Sequence, residues 1–222
     1  RGASLAPLAV PGFKPSYGTG NSRFFCLAYG PHQRSHAGTD NFQFNDPYFR
    51  VTRVASLFDE SARLTDPVQF LTRLHYRAIR CSRVPARDTL QRLCTLARDH
   101  LGIESDSWLD RDRGFSDAWR QLKPWQQRVM RSVLDAVRHV LDANPHRLAP
   151  LDEPGLILMD RPDRWCPQGT LAAWIAFTDR LLPRMQCVVT LGERARRSLP
   201  ASVREHHLSL PAATRVAEKQ RP

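Results

Sequence analysis

Hydrophobic positions fall into two regimes along this chain: short unbroken apolar runs near both ends, and long stretches of helical period between them. Arg23-Phe-Phe-Cys-Leu-Ala-Tyr29 is a continuous run closed by Gly30-Pro31, the pattern of a buried strand. From Asp66-Pro67 the period lengthens, with aspartate as N-cap and proline at the first helical position. Phe70, Leu71, Leu74, Ala78 and Ile79 then form one face. A second helix is predicted from about Ala86 to Leu101, with Leu90, Leu93, Ala97 and Leu101 inward and Gly102 as its stop. Pro124 opens a third, ending near Asn144-Pro145, whose face is Val129, Val133, Leu134, Val137, Val140 and Leu141.

The short-run pattern then returns. Leu156–Asp160 reads as a strand, residues from about Thr170 to Leu182 as a helix, and Met185–Thr190 as a further strand. Strand, helix and strand in such close succession predict a right-handed crossover with parallel strands. His32–Pro47 and Ser105–Ala118 read as loops, Val51–Phe58 fits strand or helix equally, and His207–Leu210 is a candidate further strand. The expected fold is α/β, a largely parallel central sheet flanked by helices with an α-helical insertion. Residues 1–22 are expected to be a connector or a truncated upstream lobe, 23–211 the main lobe (helical part about 66–145, strand–helix–strand part about 155–192), and 212–222 a basic tail.

Composition narrows the class. Of 222 residues 41% are hydrophobic, enough for a core, and no apolar stretch is long enough to span a membrane. The chain opens on Arg1, so the expectation is a start truncated from a longer protein. Five separated cysteines (Cys26, Cys81, Cys94, Cys166, Cys187) form no close pair, which argues against a disulfide framework or zinc site and for a reducing, cytoplasmic setting. Net charge is +11, carried by 30 arginines and 3 lysines. That charge suits a polyanionic partner such as nucleic acid or, equally, arginines spread over solvated faces, since no arginine stripe with interleaved aromatics appears.

The candidate chemistry centres on Gly155-Leu-Ile-Leu-Met-Asp-Arg-Pro162. Here a buried strand delivers Asp160 to the carboxyl edge of a parallel sheet, where open α/β sheets bind ligands. Together with Phe24–Pro31, Ser56-Leu-Phe-Asp-Glu60 and Arg184-Met-Gln-Cys-Val-Val-Thr190, this segment resembles the C-terminal half of ATP-binding-cassette-type ATPases. The clade in question is that of chromosome maintenance, recombination and overcoming lysogenisation. The resemblance implies a nucleotide-binding lobe of P-loop type, with ATP and Mg2+ as cofactors and Asp160 as the magnesium carboxylate. It also implies a second head as dimer partner.

Departures from that pattern carry equal weight. No phosphate-cradling Gly-rich loop with its lysine occurs, and Leu122-Lys-Pro-Trp-Gln-Gln127 stands where the family signature precedes the long helix. Lys123 and Gln127 are the candidates there for meeting a phosphate, and Trp125 would obstruct close approach. Thr190-Leu-Gly-Glu193 lacks the switch histidine. Arg161 occupies the place of the catalytic glutamate, and a guanidinium has only donors, so it cannot act as a general base. It can pair with Asp160 or a phosphate, or stack on Trp165 as an ordinary surface arginine. Asp152 and Glu153 are expected at the far end of the strand, with Asp163 nearer. The expected role is a degenerate ATPase subunit in nucleotide-dependent assembly, with weak or absent hydrolysis, in a DNA-maintenance or defence complex. The alternatives are an active hydrolase with a displaced base, and a basic nucleic-acid-binding or scaffold protein that uses no nucleotide.

Overall fold

The computed structural model describes residues 25–30, 34–35, 53–54, 63–79, 84–104, 114–167 and 169–196. Three parallel strands make the main sheet: β1 (Cys26–Tyr29), β4 (Gly155–Asp160) and β5 (Met185–Thr190), in the order β1-β4-β5. Tyr29 lies opposite Met159, and Asp160 opposite Thr190. Each strand is an apolar run of the kind that suits a two-sided parallel sheet. One face, made by Leu27, Tyr29, Ile157 and Met159, is almost wholly buried. The other, with Leu158, Val188, Asp160 and Thr190, is more open.

Helices account for most of the described chain: α1 (Pro67–Ile79), α2 (Val84–Leu101), α3 (Gly114–Gln121), α4 (Pro124–Ala143), α5 (Leu171–Leu181) and the short α6 (Glu193–Arg196). Asp66 caps α1, its Oδ1 accepting the Gln69 amide at 2.8 Å, as its position before a proline predicts. Leu71, Leu74 and Ala78 are buried while Ile79 is exposed. Helix α2 ends at Gly102 (φ 61°), whose amide donates to Arg98 O as in an αL stop, while Ile103 N reaches Ala97 O. The predicted face of α4 is buried except for Leu141, which is half-buried. Helix α5 links β4 to β5 and sinks Trp174, Phe177 and Leu181 into the core. Complete burial of such side chains contributes about 1.5–3 kcal/mol each.

Two loop expectations are corrected. Residues 114–121 form α3, which turns Phe115, Ala118 and Trp119 toward the core at helical spacing. Arg34–Ser35 (β2) pairs in parallel with Arg63–Leu64 (β3) inside a segment read as loop. Within Val51–Phe58 only 53–54 are described, and they are helical. The connector, the basic tail and the His207–Leu210 strand lie outside the described residues. The described cysteines Cys26, Cys94, Cys166 and Cys187 are free thiols. Burial pushes Cys94 up to about 11 and Cys187 to about 12, so neither is a nucleophile at neutral pH.

A buried polar cluster, unforeseen from the sequence, joins β1, the segment after β3 and α4. Asp135 Oδ2 accepts from Tyr29 Oη at 3.0 Å. Its Oδ1 accepts from Thr65 N at 2.9 Å and Thr65 Oγ1 at 2.6 Å. His139 Nε2 lies 3.5 Å from Oδ2, and Arg138 reaches Thr65 Oγ1 at 2.7 Å. Asp135 and His139 are each 4% exposed, so these donors replace water around a charge that is otherwise costly to bury.

Replacing Asp135 by alanine strands Tyr29 Oη and the Thr65 donors in the interior. The expected cost is about 3 kcal/mol, read from urea unfolding. His139 is held below its ordinary range, first by burial and then by the Arg138 and Arg53 charges, while Asp135 and Asp142 oppose the shift. The unfolded chain therefore binds the proton more tightly, and stability falls as pH drops below about 6.5. His139→Gln should flatten that part of the stability–pH curve. An unchanged slope would remove His139 as its source.

Candidate functional site

The carboxyl edge of the sheet is built by the ends of β4 and β5 and the turns that follow them. Asp160 ends the middle strand on the more open face, half-buried. Thr190, opposite it on β5, donates its hydroxyl to Asp160 Oδ1 at 2.5 Å. Asp160 Oδ2 has no partner among the described residues. The chain then turns sharply: Arg161 takes φ 52° and ψ 49°, the left-handed region, and is the single non-glycine residue with positive φ among those described. Its amide donates to Thr190 Oγ1 at 3.0 Å and Thr190 O at 3.2 Å, which ties the turn to the neighbouring strand. A non-glycine residue held there costs on the order of 1–3 kcal/mol, and such strain persists where surrounding bonds over-determine it.

That turn sets the direction of the Arg161 side chain. Its Nε and Nη2 donate to Asp163 Oδ1 and Oδ2 at 3.0 and 3.1 Å, a bidentate fork. The fork lies against Gly192 in the turn after β5: a Cβ there would come within 2.8 Å of Arg161 Nη2 and 2.9 Å of Asp163 Oδ2. Both carboxylates raise the guanidinium's proton affinity, Asp163 by direct bonding and Asp160 at longer range. Arg161 is thus a fixed cation beside the Asp160 carboxylate. Its partner is Asp163, and Trp165 is instead buried, edge-on to Trp174 with ring centroids 6.0 Å apart.

Lys123 and Gln127 belong to a separate junction between α2, α3 and α4. Lys123 is exposed, and its amide donates to Gln126 Oε1 at 2.8 Å, half of a capping box. Gln126 Nε2 holds Leu101 O at the end of α2 at 2.9 Å. Gln127 Nε2 donates to Trp119 O and Leu122 O, both at 3.1 Å, so its amide closes the α3–α4 turn. Asp152 and Glu153 precede β4 as expected and pair with Arg92 and Arg147.

Chemically, the edge offers one carboxylate with an open oxygen, beside the Thr190 hydroxyl and an Arg161 guanidinium that is paired with Asp163. No group of three or more His, Cys, Asp or Glu converges to hold a metal among the described residues. A magnesium ion needs only one or two protein carboxylates when phosphates and water complete its octahedron, and Asp160 fits that limited share. Thr190 and Gly192 escaped the sequence reading as site members: Thr190 meets Asp160 through the register of β4 and β5, and Gly192 meets the Arg161–Asp163 pair in the turn that follows. Searches against family models, curated proteins and solved structures find no match to this chain.

Gly192→Ala tests the fork. The clashing atoms are ends of flexible side chains, so the melting temperature should change by only about 2–4 °C or less. The Arg161 Nε–H resonance should shift or broaden as the bidentate geometry is lost. An unmoved resonance would mean that the glycine does not support the pair.

Proposed function

We propose that this chain is a degenerate ATP-binding-cassette-like subunit that uses nucleotide for assembly rather than turnover. The observation that carries the proposal is the middle strand of a parallel sheet ending in Asp160, with Thr190 and Arg161 beside it. Three of the four segments that resemble the ATPase clade are neighbouring parallel strands of one sheet, which supports the reading, and the fourth, Ser56–Glu60, lies outside the described residues. In it, Asp160 holds Mg2+ on the nucleotide phosphates and Arg161 faces their negative charge. Hydrolysis is weak or absent because Arg161 has no acceptor and Asp163, two residues on, already accepts two N–H bonds from it. Lys123, Gln127 and a second head remain the candidates for the opposite side of a nucleotide sandwich, now as part of this proposal. Partnership with DNA in maintenance or defence is the biological setting that the proposal implies.

Equilibrium dialysis of Mg-ATP against the chain tests it. Asp160→Asn should weaken binding by about tenfold or more, by analogy with other losses of metal-site support, with no change in metal-free ATP binding. Equal affinity in the two proteins would refute the magnesium role. Phosphate release above background that vanishes in Asp160→Asn would instead establish an active hydrolase with a displaced base.

A further inference from the structure

The hairpin of α1 and α2 carries a surface that the sheet edge does not explain. From Pro67 to Arg87 the sequence contains five arginines and no aspartate or glutamate. On α1, Tyr76 and Arg77 lie three and four residues beyond Arg73, so each neighbours it on one side of the helix. That face lies opposite the buried stripe of Leu71, Leu74 and Ala78. Tyr76 is 60% exposed, Ile79 43% and Val84 56%, three of the five large exposed apolar side chains among the described residues. Arg73 and Arg87 are exposed, and neither has an ion-pair partner among the described residues. A basic stripe with an interleaved aromatic, hidden in the linear sequence, is therefore present on the folded helix.

We infer that this hairpin is a docking surface for single-stranded nucleic acid, with Arg73 and Arg87 meeting phosphates and Tyr76 stacking on a base. Charge complementarity selects a polyanion, because the segment from Pro67 to Arg87 contains five arginines and no acid, with Arg73 and Arg87 exposed. Acids bound the segment on both sides, Asp66 before Pro67 and exposed Asp88 next to Arg87, and each subtracts one charge. Tyr76 selects single strands over duplex: an unpaired base offers a π-face, and stacking tolerates any sequence. Ile79 and Val84 provide apolar contact beside it. A lipid surface fits less well, since the apolar stripe that α1 would insert is already spent on the core. The inference stands apart from the nucleotide proposal and shares no residue with it.

Fluorescence anisotropy with a labelled single strand of about 16 nucleotides, titrated between about 50 and 200 mM salt, tests it. Wild type should bind with a steep salt dependence. Arg73→Gln and Arg87→Gln should each reduce the slope of log K against log salt by about 0.7. Tyr76→Ala should weaken single-strand binding by about tenfold and leave duplex binding unchanged. All three residues are exposed, so unchanged circular dichroism is expected. Asp160→Asn should leave oligonucleotide affinity intact, which separates a failure here from a failure of the nucleotide reading. Wild-type slopes in both arginine variants, an unaffected Tyr76→Ala, or capture by anionic phospholipid vesicles without oligonucleotide binding would each overturn the inference.

Discussion

Burying one carboxylate, Asp135, constrains three separate pieces of the chain at once. Tyr29 ends β1, Thr65 follows β3, and Asp135 lies in the middle of α4, yet their polar atoms meet within hydrogen-bond distance. A carboxylate in the interior is tolerated only when its lone pairs are occupied, so the pieces must come together or none is stable there. Tyr29 is in register with Met159, the residue before Asp160. The cluster therefore ties the end of β1 to α4 and to Thr65, one register position below the edge that carries the candidate site. Packing of Leu27, Ile157 and Trp174 supplies the bulk of the burial, but packing alone tolerates a sliding strand better than this bonded cluster does.

Much of this architecture was legible before folding. Periodicity located α1, α2, α4 and α5, and the unbroken apolar runs located β1, β4 and β5, because both depend on local spacing that burial then enforces. Caps at Asp66 and Gly102 were readable for the same reason. The Asp135 cluster was not, since its partners stand 70 and 106 residues away and an aspartate within a helix ordinarily faces water. Helix α3 was missed although Phe115, Ala118 and Trp119 carry the right spacing; its glycine start and mixed charges resemble a loop. The Arg161–Asp163 fork depends on a left-handed turn, and two residues two apart meet only if the backbone between them bends.

The hairpin surface shows the same limit from the other side. Arg73, Tyr76 and Arg77 look scattered in a linear reading, because the buried Leu74 and half-buried His75 stand between them. Helical geometry sorts these residues onto different faces, and only then does the basic stripe separate from the core stripe. Overall charge alone does not distinguish such a stripe from arginines spread over every solvated face.

Two carboxylates thus serve opposite purposes, and their hydrogen bonding separates them. Asp135 receives three hydrogen bonds and a nearby imidazole, which leaves little of its roughly four-site acceptor capacity for any ligand. Asp160 receives one bond, from Thr190, on the open face of the sheet. Its neighbour Arg161 is held in a strained conformation by two bonds to Thr190 and a fork to Asp163, although glycine would relieve the strain at that φ. Strain that a simpler residue would remove, kept beside a carboxylate with acceptor capacity to spare, points to the sheet edge as the place for a ligand. The filled core cluster holds that edge in place and leaves the binding to it.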